Sequence, residues 1–166
     1  NTPEGQSFAE DFIQFLNESC TAFHAVQACK ERLLAAGFHQ LSESKDWSLS
    51  VGGKYFFTRN GATVIAFTVG SKYEPTNGFT VLGAHTDSPC FKVKPVVCTK
   101  KGDSLMINTM NYGGGLWHTW FDRDLGIAGR VVIKGPNGEL TTKLLRIDDP
   151  IARIPTLAIH LSSAEE

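Results

Sequence analysis

Two side chains capable of metal chemistry lie two positions apart in the segment Val81-Leu82-Gly83-Ala84-His85-Thr86-Asp87-Ser88-Pro89. The apolar run from Phe79 to Leu82 reads as a buried strand, which delivers His85 and Asp87 at its end. In extended backbone, residues i and i+2 face the same side, so the two side chains converge. Pro89 closes the strand just beyond them. A neutral imidazole is the commonest metal ligand, and a carboxylate on its other ring nitrogen fixes the tautomer. The pattern is that of a metal-binding His85 oriented by Asp87. Without its flanks, His-x-Asp also describes a surface turn in which the two groups bond only to each other.

The other histidines carry less. His160 sits in Leu157-Ala158-Ile159-His160-Leu161, where a hydrogen-bonded core or edge histidine is the ordinary explanation. His24 reads as a structural residue near a helix start, and His39 and His118 have no spacing partner. Gly113-Gly114-Gly115 lacks the strand-loop-helix setting and the Gly-Lys-Ser/Thr ending of a phosphate loop, so close packing or a tight turn accounts for it. Trp117, Trp120 and Phe121 read as core or interface aromatics, and Asp122-Arg123-Asp124 as a charge network at a strand start. Cys20, Cys29, Cys90 and Cys98 show no Cys-x-x-Cys spacing, which fits a reduced, cytoplasmic chain.

The elements that must position these groups follow from periodicity. Phe8, Phe12, Phe15 and Leu16 recur at spacings of three and four, predicting an amphipathic helix over 7–19. A second helix is expected from the N-cap Thr21, with Val26, Cys29, Leu33 and Leu34 on one face and Gly37 as its C-terminal cap. Residues 38–53 read as loop. Tyr55–Thr58 and Thr63–Val69 form a hairpin pattern across Asn60-Gly61, and 71–78 is a polar loop before the expected strand Phe79–Ala84. Beyond Pro89 the pattern turns to short β-like segments at 91–99, 104–110, 129–134 and 140–147, with turns at Lys101-Gly102-Asp103 and Pro136-Asn137-Gly138. A mixed α/β part followed by an all-β part puts a boundary near residue 93.

The 166 residues are 42% hydrophobic and 20% charged, with net charge −1. A near-neutral chain has no general attraction to nucleic acid or anionic membranes. No apolar run approaches bilayer length. Neither nucleic acid nor a membrane is expected as a partner.

Gly-Ala-His-Thr-Asp-Ser-Pro after a hydrophobic strand resembles the first metal-ligand motif of the aspartyl aminopeptidase family of zinc exopeptidases. The resemblance extends to Phe23-His24-Ala25-Val26, Lys54-Tyr55-Phe56 with Thr58-Arg59-Asn60, Tyr112-Gly113-Gly114-Gly115, Trp120-Phe121-Asp122-Arg123-Asp124-Leu125 and Ala158-Ile159-His160-Leu161, in the family's order. It implies an α/β fold: residues 1–92 would be the N-terminal part of a catalytic domain, with helices packed on a mixed sheet. Residues 93–166 would belong to a β-rich inserted oligomerisation domain. It implies zinc, two ions per active site, with His85 as a ligand and Asp87 as its orienting carboxylate. It implies that His160 reaches a neighbouring subunit's active site within a tetrahedral dodecamer, and that the substrates are peptides beginning with Asp or Glu.

The family's bridging Asp, general-base Glu with its neighbouring Glu ligand, further carboxylate and distal His match nothing in this sequence. Glu165-Glu166 stands in the wrong context and reads as loop. The expectation is therefore an N-terminal segment of a larger enzyme. Two alternatives remain: a vacuolar-type aminopeptidase of the same scaffold that prefers neutral residues, and a non-catalytic assembly or binding module that uses the β-rich half.

Overall fold

A computed structural model describes residues 2–156 of the chain. The chain divides into two units, Asn1–Asp87 and Ser88–Glu166, a division just ahead of the 92/93 boundary expected from the sequence.

The first unit opens with helix α1 (Pro3–Glu18), which begins before residue 7 because Thr2 caps it. The Thr2 hydroxyl accepts from Gly5 N–H at 3.2 Å, and Pro3 supplies a φ already suited to a first helical turn. Helix α2 (Ala22–Ala35) starts at Thr21 as expected, with the Thr21 hydroxyl accepting from His24 N–H. Its end is a Schellman turn: Gly37, at φ +79°, donates to Leu34 and Phe38 donates to Leu33, each at 3.0 Å. Only a residue free to adopt a left-handed backbone closes this turn without strain. The two helices are joined by Arg32, which donates to Asp11 at 2.8 Å and lies 5.1 Å above the Phe15 ring.

A three-stranded mixed sheet follows in the order β1 (His39–Gln40), β2 (Lys54–Arg59), β3 (Thr63–Thr68). β1 pairs parallel to β2, and β2 pairs antiparallel to β3 across Asn60-Gly61, both at positive φ. β1 falls within a stretch that reads as loop, since two residues are too few to show a period. β2 is central and buries three consecutive residues, Tyr55, Phe56 and Phe57. Tyr55 and Phe57 share one face, where Trp47 lies 5.1 Å from Phe57 and 6.2 Å from Phe67. Phe56, with 0% of its surface exposed, points to the other face. Lys54 shares that face and donates to Ala36 O at the end of α2, so α2 covers it, with Ala25, Val26 and Ala28 buried. The small residues let the helix sit close to the sheet.

The second unit is strand throughout its described regular structure, apart from one 3-10 turn at Trp117–Trp120. Strands β4 (Cys90–Lys101) and β5 (Ser104–Tyr112) form one antiparallel pair, and β6 (Leu125–Lys134) and β7 (Leu140–Ala152) another. Each is longer than its apolar alternation suggests, because each pair contains a large bulge. Residues 94–97 stand opposite Asn108, whose side-chain amide donates to Val96 O and Thr99 Oγ1. Residues 148–151 stand opposite Gly126, where a Cβ would run into the Ile147 carbonyl oxygen. The glycine run behaves as expected: Gly113 turns at φ +77°, and Gly115 passes against Pro89 and Trp117. Phe91 packs on Trp117 and Trp120 with ring centroids 4.9 and 5.3 Å apart.

Candidate metal centre

His85 and Asp87 meet as the spacing predicts. The imidazole Nδ1 lies 3.2 Å from Asp87 Oδ1, with the His85 side chain 94% exposed and that of Asp87 41%. An Nδ1–H donated to the carboxylate leaves the Nε2 lone pair directed away from it, the state in which a histidine binds a metal. The pair therefore fits zinc as one ligand with its orienting carboxylate. It is not a complete site, since no group of three or more His, Cys, Asp or Glu able to hold a metal occurs among the described residues.

The element beneath the pair departs from expectation. Residues 79–84 form no strand. No described segment hydrogen-bonds to them, and a strand exists only through a partner's backbone. The apolar side chains that predicted burial are correspondingly open, Phe79 at 86% and Leu82 at 95% exposed. The extended spacing still brings His85 to Asp87, but not at the end of a central strand.

His160 lies outside the described residues. His24 serves α2: its Nδ1 is 2.8 Å from the Thr21 hydroxyl that caps the same helix. His39 packs on Tyr55, with ring centroids 6.2 Å apart. Asp122-Arg123-Asp124 does form a charge network. Arg153 donates to Asp124 at 2.8 Å, while Asp122 accepts from the backbone and hydroxyl of Thr156. Those bonds hold the Asp122 carboxyl below its usual range. No local pattern marks Thr156, because its partner is 34 positions away.

The chain matches the family model described as aminopeptidase I zinc metalloprotease (M18) over residues 15–166. It is 54% identical over 161 residues to a probable aspartyl aminopeptidase of Ricinus communis, an alignment covering 95% of this chain and 33% of that protein. Among solved structures, it resembles a chain in the cryo-EM structure of the Ape4 and Nbr1 complex, with a TM-score of 0.91, 46% identity, and coverage of 94% of this chain and 30% of the other. It also resembles the S. cerevisiae mApe1 dodecamer, with a TM-score of 0.85, 34% identity, and coverage of 95% and 37%. The chain thus spans about a third of the length of the curated relatives it matches.

Proposed function

The chain belongs to the aminopeptidase I zinc metalloprotease (M18) family, and on that premise we propose that it forms part of a zinc aminopeptidase releasing N-terminal Asp or Glu from peptides. The observation that carries the metal chemistry is the His85–Asp87 pair, with Nδ1 3.2 Å from Oδ1; the acidic preference is supported by relatives named as aspartyl aminopeptidases. Residues up to 92 are read as part of the catalytic domain and residues from 93 as part of an inserted, β-rich oligomerisation domain.

Two zinc ions, when bound, supply Lewis acidity towards the scissile carbonyl and lower the pKa of a bound water towards neutrality. In this reading His85 would hold one of them. Asp87 keeps the proton on Nδ1 and the ring in the ligating orientation. His160 donates a hydrogen bond to the developing oxyanion in a neighbouring subunit's site. The remaining ligands and the general base are expected in the part of the relatives' length that this chain does not span. Assembly as a dodecamer is supported by the mApe1 relative, described as one. A reducing, cytoplasmic setting is supported by the four cysteines standing as free thiols.

The test is direct. The full-length protein is expected to contain two zinc ions per subunit and to cleave Asp- and Glu-initiated peptides in preference to Ala- or Leu-initiated ones. Preference for the neutral peptides would identify the vacuolar-type specificity instead, and absence of cleavage with zinc bound would refute the enzymatic reading.

Asp87→Asn removes the charge that polarises the His85 imidazole. It is expected to weaken zinc binding by about 10–100-fold, the usual effect of losing such a partner. Competition with a chelator measures it, and an unchanged affinity would mean that the carboxylate does not serve the ligand.

A further inference from the structure

The β6–β7 ladder ends at the pair Leu125–Ala152, yet the two chains stay fastened for four more residues. Asp122 N–H donates to Ile154 O at 2.9 Å. The two oxygens of its carboxylate accept from Thr156 N–H at 3.2 Å and from Thr156 Oγ1–H at 2.5 Å. Asp124 takes Arg153 Nη2 at 2.8 Å. Asp122 makes these bonds from a left-handed backbone, φ +56°, a conformation that costs free energy at any residue but glycine, though Asp tolerates it better than most. Backbone held in such a region marks a place where the surroundings over-determine the geometry, and such places cluster at functional sites.

A hairpin already closed by its ladder does not need this clasp to stay paired. What the clasp adds is a fixed point of departure for the chain beyond Thr156. His160 is four residues further along the sequence. An extended chain advances at most about 3.6 Å per residue, so an anchor at Thr156 sets a reach of roughly 14 Å to His160, against roughly 22 Å from Ile154, where the Asp122 N–H bond would still hold the chain without the carboxylate. Shortening the reach by a third cuts the volume within it about threefold, by the cube of the distance.

We propose that Asp122 is a positioning residue: with Thr156 as its partner, its carboxylate fixes the point from which the chain runs to His160. This rests on the reading of His160 as the residue that completes a neighbouring subunit's active site. Asp122 itself touches no substrate. It concentrates the imidazole where the reaction needs it, so its loss lowers turnover and leaves ground-state substrate binding nearly unchanged.

The experiment uses the full-length oligomer and compares Asp122→Ala, Thr156→Val, Thr156→Ser, His160→Ala and the double variant Asp122→Ala/His160→Ala. Zinc content and particle mass are checked for each. Asp122→Ala, which keeps the Asp122 N–H to Ile154 O bond, is expected to lower kcat about threefold, following the volume ratio, with KM nearly unchanged. Thr156→Val, which loses the hydroxyl but keeps the backbone bond, should lose less, and Thr156→Ser should restore the wild-type rate. On the His160→Ala background, Asp122→Ala should cost nothing further, because a residue acting through His160 has nothing left to position. An equal loss in both backgrounds would make the clasp merely structural and overturn the proposal. So would an unchanged kcat in Asp122→Ala, while His160→Ala alone still showed a loss. If His160→Ala leaves kcat unchanged, the reading of His160 fails first and the proposal falls with it. Should Asp122→Ala fail to assemble, Thr156→Val, alone and with His160→Ala, carries the same comparison.

Discussion

His85→Ala in the full-length enzyme is expected to remove one of the two zinc ions proposed for its site and to lower kcat/KM by about three orders of magnitude or more. A metal acting as a Lewis acid contributes several kcal/mol to the transition state, and each 1.36 kcal/mol is a factor of ten in rate. The substitution itself is mild for the fold. Among the described residues the His85 side chain is almost fully open and bonds to Asp87, so little packing is lost with it. Stability and particle mass should therefore remain at wild-type values while metal content falls. His24→Ala is the matched control. It removes an imidazole that meets the Thr21 cap of α2, so it should affect helix stability and leave zinc and kcat alone. Two zinc ions retained by His85→Ala, or a rate within tenfold of wild type, would remove His85 from the ligand set.

How much of this was legible in the sequence depends on how local each signal is. Thr21 and Gly37 announced the ends of α2 because capping is decided within four residues of chain, and Asn60-Gly61 announced the β2–β3 hairpin for the same reason. His85 and Asp87 were legible as a pair because their convergence needs only an extended backbone between them. The strand beneath them was not, since Phe79–Ala84 carries the composition of a buried strand but burial needs a partner, and no described segment supplies one. β1 escaped notice because its two residues become a strand only by lying parallel to Tyr55 and Phe56. The bulge at 148–151 hid the last third of β7, as Asp148-Asp149-Pro150 reads as an interruption until Gly126 is seen making room opposite it. Thr156 was invisible for the most general reason. Its role is defined by Asp122, and no pattern in either segment predicts the other.

Mixing two inactive variants tests the shared site most severely. His160→Ala alone is expected to lower kcat by about 100–1,000-fold, the cost of removing one oxyanion donor, with zinc content and assembly unchanged. His85→Ala is expected to be inactive for a different reason, the loss of a proposed metal ligand. If His160 acts in a neighbour's site, a working site needs His85 from its own subunit and His160 from another. In a particle assembled at random from equal amounts of the two variants, half the subunits carry an intact His85, and half of their neighbours carry an intact His160. About a quarter of the sites would then be complete, so activity should return to about a quarter of the wild-type value. If His160 serves its own subunit, no site in any hybrid holds both residues, and nothing returns. The two models differ by a factor of at least about 25, because the residual rates of the parents set the floor. Native mass measurement must show mixed particles, since separate homo-oligomers would also stay inactive. With mixed particles present and activity still at the parental floor, His160 is not a shared catalytic residue, and the particle's assembly must be explained without it.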